Sequence, residues 1–216
     1  MKNISSSHFY NKLNKKKEFH PLNGQIELTY RCNLNCVHCY CNELEGKELN
    51  TLQWKKILDN IRDEGCIWLT FTGGDPLMRD DFLELYAYAK KMGFIITIFT
   101  NGQRLIGKTL NYLTKFPPHC IEITLNGITK NTYEAITRVA GSFSNILRNI
   151  KAIAQRKLPL ILKTNCLKQN KDELGKVKAF TEKTIGKSAH GYRFKYDPMI
   201  YPRLNGDRTP CEYRLS

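Results

Sequence analysis

Cys32, Cys36 and Cys39 stand in a C-x3-C-x2-C array within residues 32–41, a ten-residue stretch that holds four of the chain's eight cysteines. Three thiolates at this spacing can converge on one inorganic centre while the loop wraps around it. Thiolates are soft ligands that select zinc, copper(I) or iron-sulfur clusters. A structural zinc site would close its tetrahedron with a fourth protein ligand, and His38 or Cys41 stands close enough in sequence to serve. An iron-sulfur centre would instead leave one metal corner without a protein ligand. Three reduced surface thiols are the remaining reading.

A second motif, Gly73-Gly74-Asp75-Pro76, pairs two residues that have no side chain with an acid. Paired glycines allow the backbone to come close to a ligand, although the motif by itself reads as a tight turn. Arg138 has a planar guanidinium shaped to pair with a carboxylate. It also stands four residues after Glu134, which is the spacing of a helix-surface ion pair. Cys66, Cys120, Cys166 and Cys211 are scattered, and they read as buried reduced thiols acting as small hydrophobes.

The elements that carry these residues alternate regularly. Residues 25–31 read as a first strand that ends where the cysteine loop begins. Asn50 with Gln53 marks a capped helix whose Trp54, Ile57, Leu58 and Ile61 fall on one stripe before Gly65. A strand over 67–72 precedes the Gly-Gly turn, and a helix with Phe82, Leu85, Tyr86 and Ala89 on one face follows it, ending at Gly93. A third strand over 94–100 ends at Asn101-Gly102. Leu110, Leu113 and Phe116 mark a short helix before Pro117-Pro118, and a fourth strand over 121–125 ends at Asn126-Gly127. The next helix is read in two pieces, 133–139 and the stripe Ile146, Leu147, Ile150, Ile153, Ala154, separated at Gly141. A strand over 158–164, a weaker helix over 171–185 and a strand over 192–196 complete the pattern. Six strands alternating with helices predict an α/β fold: a parallel sheet with right-handed crossovers and helices on the outside, a partial TIM barrel of (β/α)6 type. Every candidate motif then falls at a strand's carboxyl end, the rim where such barrels build their sites. An open doubly wound sheet is the competing fold, but it usually opens with a glycine-rich phosphate loop where this chain has cysteines.

The cysteine triplet directly after an apolar strand, followed by Gly73-Gly74-Asp75-Pro76 after the next one, resembles the radical S-adenosylmethionine superfamily. The resemblance implies that Cys32, Cys36 and Cys39 bind three irons of a 4Fe-4S cluster and that S-adenosylmethionine chelates the open iron. It implies that the Gly73-Gly74 backbone and Asp75, which stands where Glu is commoner, hold the cofactor's amino group. It places His38 beside the adenine and Thr124 near the carboxylate or ribose. Asn126 falls where an acidic or aromatic residue is usual, and Arg138, ahead of Gly141-Ser142-Phe143, matches the family's arginine. The implied activity is reductive cleavage of S-adenosylmethionine to a 5'-deoxyadenosyl radical that abstracts hydrogen, with electrons from an external donor. A non-catalytic module that only binds cluster and cofactor is the alternative. The Gly-Ser-Phe region and the residues from 201 onward resemble the branch with a cysteine-rich SPASM domain, which includes peptide maturases. That implies a peptide or small-protein substrate, and a SPASM-type domain or peptide-recognition partner supplied from outside these 216 residues. The expected organisation is a basic polar tail over 1–20, the barrel over 21–198 and an irregular segment over 199–216.

Composition is that of an ordinary globular protein, 41% apolar and 25% charged. Residues 1–24 lack an apolar core for a secretory signal, and no stretch reaches membrane-spanning length, so a cytoplasmic, reducing setting without membrane partners is expected. The formal charge of +14 is uneven. Residues 1–20 carry five Lys against one acid, and residues 151–216 carry fifteen basic against six acidic side chains, whereas the motif-bearing stretch is almost neutral. No nucleic-acid recognition motif accompanies the excess, which reads as solvated lysine-rich surface facing, at most, an acidic partner.

Overall fold

A computed structural model describes residues 21–41, 47–186 and 193–215. The sequence-predicted tail over 1–20 and Tyr192 of the last strand lie outside the described residues. Six strands, β1 (Asn23–Thr29), β2 (Trp68–Gly73), β3 (Ile95–Thr100), β4 (Cys120–Thr124), β5 (Leu160–Asn165) and β6 (Phe194–Asp197), form one sheet in sequential order. Every neighbouring pair is parallel. Between them run α1 (Thr51–Asp63), α2 (Phe82–Lys91), α3 (Gly107–Lys115), α4 (Lys130–Thr137), α5 (Ser142–Gln155) and α6 (Leu174–Ile185). This is the partial-barrel α/β architecture that the alternation predicts.

Local signals explain the elements. Asn50 accepts from the Gln53 amide while the Gln53 side chain accepts from the Asn50 amide, the reciprocal cap read from the sequence. Between α4 and α5 the chain turns through two left-handed residues, Arg138 at φ 56° and Gly141 at φ 79°. The predicted first piece over 133–139 therefore ends two residues early. Phe116, predicted inside α3, caps it and is 44% exposed, because Lys115 is the last residue that keeps helical geometry. Ahead of α6 a 3-10 turn (Lys168–Glu173) replaces the first turn of the predicted helix.

The main core lies between sheet and helices. It joins Leu28, Leu69, Phe71, Ile96, Ile98, Ile121, Ile123, Leu160 and Leu162 of the strands to Leu58, Leu85, Tyr86, Leu113, Ile146, Ile150 and Ile153 of the helices. The opposite sheet face is polar, as alternation requires when one face is packed and the other faces the barrel interior. There the 4% exposed Glu122 meets Lys195 at 2.6 Å and Lys163 at 3.8 Å, and Lys163 reaches Asp197 at 3.3 Å. After β6 the chain crosses back over the cysteine loop and ends in a 3-10 turn (Thr209–Tyr213). Among the described residues, no helix is long and apolar enough to cross a membrane.

Candidate functional site

The carboxyl ends of the strands surround a cavity of about 760 Å³. That volume suits a cofactor-sized ligand. Cys32, Cys36, Cys39 and His38 line it from the loop after β1, Gly73 and Gly74 from the end of β2, and Thr124 and Asn126 from the end of β4. Thus eight of the ten residues singled out in the sequence share one cavity; Asp75 and Arg138 do not line it.

The cysteine loop has no regular structure of its own and is held from several sides. The Gly74 amide donates to the Thr29 carbonyl at 2.7 Å, and the Asp75 amide to the Arg31 carbonyl at 2.9 Å, so the Gly-Gly turn docks against the strand end where the loop starts. Gly73 sits at φ +138°, and a Cβ added there would lie 2.2 Å from the Thr29 carbonyl oxygen. Asn35 and Val37 donate to the Thr137 and Ile136 carbonyls at the end of α4, both at 3.0 Å. Tyr40 donates its hydroxyl to Glu27 at 2.9 Å.

Asp75 is fully buried, and its carboxylate faces inward. It accepts from Thr100 Oγ1 at 2.7 Å, the Asn101 amide at 2.8 Å and the Leu77 amide at 2.9 Å. Burial pushes its pKa up against the pull of those three bonds. The carboxylate ties the β2 turn to the end of β3, and only the backbone of the Gly-Gly turn faces the cavity. Arg138 lies outside altogether. Its backbone is the left-handed end of α4, its side chain is exposed, and Nη2 stands 3.4 Å from the Tyr213 hydroxyl. The helix-surface pairing with Glu134 is absent too: Glu134 instead accepts from the Phe143 amide at the start of α5.

The thiols are set for a cationic centre. Cys32 accepts from the Leu34 amide and from Asn101 Nδ2, each at 3.4 Å. Desolvation still pushes it up to about 11. Cys36 is pushed up by burial and then by the neighbouring Cys39 and Cys32 sulfurs. Raised in this way the thiols stay neutral when nothing is bound, and bound metal would supply the positive charge that deprotonates them. Among the described residues, no three His, Cys, Asp or Glu side chains gather closely enough to hold a single ion. A cluster takes each thiolate on a different iron, so three thiols spread around a cavity wall fit it.

His38 supplies the second sign of fit. Burial pushes it down to about 4, helped by nearby Lys163, so the ring is neutral at neutral pH. One ring nitrogen, Nε2, lies 3.3 Å from Asn126 Nδ2, while Nδ1 is buried with no partner among the described residues. A buried polar atom left unpaired on a cavity wall is costly unless a ligand satisfies it. Asn126 is itself fixed, because its Oδ1 accepts from the Asn165 amide at 2.8 Å and its carbonyl from Asn170 at 3.0 Å.

Sequence reading left out several cavity residues. Cys41, weighed only as a zinc ligand, is 3% exposed with its sulfur 3.7 Å from that of Cys39. Asn101, Lys163, Asn165 and Asp197 line the cavity at the ends of β3, β5 and β6. Strand parity could have found Lys163 and Asn165, which alternate with the core-facing Leu160 and Leu162 of β5. Tyr133 and residues 199–202 and 204 also line the cavity; residues from 201 onward are marked in the sequence only by their branch resemblance, and nothing local puts any of these on a cavity wall.

The chain is similar in sequence and in fold to known proteins. The family model described as Radical SAM superfamily matches residues 26–180. The chain is 29% identical over 194 residues to the AdoMet-dependent heme synthase of Methanosarcina barkeri, covering 87% of this chain and 54% of that protein. Among solved structures, Streptococcus suis SuiB bound to its precursor peptide SuiA superposes with a TM-score of 0.72 at 19% identity, over 91% of this chain and 45% of SuiB. The structure of anSMEcpe with bound AdoMet and the Kp18Cys peptide gives a TM-score of 0.68 at 16% identity, over 90% of this chain and 55% of that one. The chain thus spans about half the length of each of these relatives.

Proposed function

Because the chain belongs to the radical SAM superfamily, we propose that its cavity is the catalytic core of an enzyme that binds a 4Fe-4S cluster on Cys32, Cys36 and Cys39 and S-adenosylmethionine beside it. The observation that carries this reading is the convergence of three desolvated thiols, an exposed Gly-Gly backbone and an unpaired buried imidazole nitrogen on one wall. Cys32, Cys36 and Cys39 would hold the cluster, which together with the cofactor would supply one-electron reductive cleavage of a carbon-sulfur bond and, through it, hydrogen abstraction from a substrate.

The chain's own residues bind, orient and exclude water. The Gly73-Gly74 backbone offers close approach to the amino acid end of the cofactor, while Asp75 fixes that turn from behind. Thr124 presents a hydroxyl, and neutral His38 presents Nδ1 to a ligand ring or hydroxyl. Tyr133, Leu34 and Phe99 give the cavity apolar walls. A protected radical needs such walls to prevent side reactions with water. The reductant is an external donor, and the oxygen-sensitive cluster fits a reducing, cytoplasmic setting.

Two substrate readings have support. Likeness in fold to SuiB and anSMEcpe, both solved with peptides, favours a peptide or small protein. The 29% identity to a heme synthase favours a tetrapyrrole. Anaerobic reconstitution, reduction and assay for 5'-deoxyadenosine tests the core chemistry, and product analysis with a peptide or a porphyrin added separates the substrates. With these 216 residues alone we expect slow cleavage uncoupled from substrate. Absence of 5'-deoxyadenosine from cluster-loaded protein would leave the non-catalytic binding module as the reading.

The placement of Arg138 makes a specific prediction. A guanidinium paired with the cofactor carboxylate would contribute about 1.5–3 kcal/mol. Exposed and turned toward Tyr213, it is expected to contribute little, so Arg138→Ala should change S-adenosylmethionine affinity by less than about 0.5 kcal/mol. Calorimetric titration of reconstituted protein reads this directly, and a tenfold loss would put the guanidinium on the ligand.

A further inference from the structure

The cysteine loop has a support that the family motifs do not include. Beyond β6, residues 198–215 form a strap that crosses back over the site, and Met199, Ile200, Tyr201, Pro202 and Leu204 complete the cavity wall. Met199, Tyr201 and Leu204 are more than half exposed, but Ile200 is 3% exposed. Its side chain packs with Val37, Ile136 and Leu167 in an apolar cluster separate from the main core, with Tyr213 against it. Val37 lies between Cys36 and Cys39 in the chain. The same residue is bonded through its amide to the Ile136 carbonyl, so α4 and the strap grip the middle of the loop together.

The strap is tied down at three further points. Leu204 donates its amide to the Tyr40 carbonyl at 2.9 Å, at the far end of the cysteine loop. Arg214 folds back so that Nε and Nη2 both reach the Ile200 carbonyl, at 3.0 and 2.6 Å. A β-bridge joins Arg214 to Leu167, just after β5. A loop with no regular structure keeps its ligands in place only as well as its surroundings hold it.

We propose that Ile200 is a positioning residue for the cluster, and that the strap, locked by Arg214, clamps the cysteine loop through the apolar cluster that Ile200 and Val37 share. The cluster part of this inference rests on the reading given under Proposed function; the clamp itself rests on the packing alone.

Two measurements on the full chain test it. On reconstituted protein, iron loss to a chelator is expected to run about tenfold faster in Ile200→Ala, as for removal of other supports behind metal ligands. Arg214→Ala, which removes an exposed side chain and leaves the apolar cluster intact, should accelerate it in the same direction, and Ile200→Val should restore most of the parent rate. Leu113→Ala, a truncation in the main core away from the loop, separates positioning from general destabilisation: it should lower the melting temperature without hastening iron loss. On cluster-free protein, Cys36 should be alkylated faster by a maleimide in Arg214→Ala than in the parent, as read by peptide mass spectrometry. If the parent takes up no cluster, the functional reading fails, and the alkylation rates still decide the clamp. Parent-like iron loss and alkylation in Arg214→Ala, or acceleration by Leu113→Ala equal to that by Ile200→Ala, would overturn the inference. Should Ile200→Ala fail to fold, Arg214→Ala decides.

Discussion

Cys36→Ala is expected to leave the anaerobically reconstituted chain without its cluster, whereas the parent should hold about four irons and four sulfides. The expectation follows from position. Cys36 lies in the middle of the triplet, half-buried on the cavity wall, with its sulfur near enough to those of Cys32 and Cys39 to be affected by both. Cys211→Ala should keep the full complement, because Cys211 lies in the final 3-10 turn and does not line the cavity. Cys41→Ala tests the zinc reading, in which Cys41 could be a fourth ligand: a cluster held by the triplet should survive the change. Iron and acid-labile sulfide analysis with the visible absorption spectrum measures all three variants. Stoichiometric zinc with no labile sulfide in the parent would exclude the cluster.

Gly74→Ala should be a severely damaging single methyl addition at the site. An added Cβ would lie 2.4 Å from the carbonyl oxygens of both Arg31 and Tyr30. Both atoms are backbone, so no rotamer change relieves the clash; the β2 turn or the start of the cysteine loop must shift. The turn would lose its amide bond to Thr29, and the carboxylate of Asp75 would be pulled from the end of β3. A loss of about 3 kcal/mol in unfolding free energy is expected, at the upper end for overpacking, together with failure to retain the cluster. Gly175→Ala is the matched control. It lies within α6 with open space around the added methyl, so the same change there should stabilise the chain by about 0.5–1 kcal/mol. Urea unfolding of the cluster-free proteins compares the two. A Gly74→Ala protein as stable as the parent would show that the turn is more plastic than its contacts indicate.

Much of the barrel was legible because its signals are local. A strand facing a core on one side alternates by twos, a helix packing on that strand repeats by three and four, and caps such as Asn50 with Gln53 depend on residues three apart. The six strands and the helices between them follow from such short-range patterns, as does the arrival of each motif at a strand's carboxyl end. Two of the misplaced boundaries share one cause. Where a helix ends on a left-handed residue that is not glycine, as at Arg138, or starts as a 3-10 turn, as before Leu174, composition carries no mark of it.

The sequence by itself determined that three thiols would share one loop, that this loop would follow the first strand, and that a glycine pair would follow the second. These are statements about spacing, and the covalent chain enforces them. Only the tertiary structure decided which atoms of the motifs face the cavity. Asp75 turns its carboxylate inward because Thr100 and Asn101, at the end of another strand, supply the donors that make its burial tolerable. Arg138 stays outside because the left-handed exit from α4 aims it toward Tyr213, a residue that reaches this position only when the chain's end folds back. Ile200 reads as one apolar residue in an irregular tail, yet it joins Val37 in one buried apolar cluster across more than a hundred and sixty positions of chain. Such contacts depend on how separate elements pack, and no neighbour in the sequence carries that information.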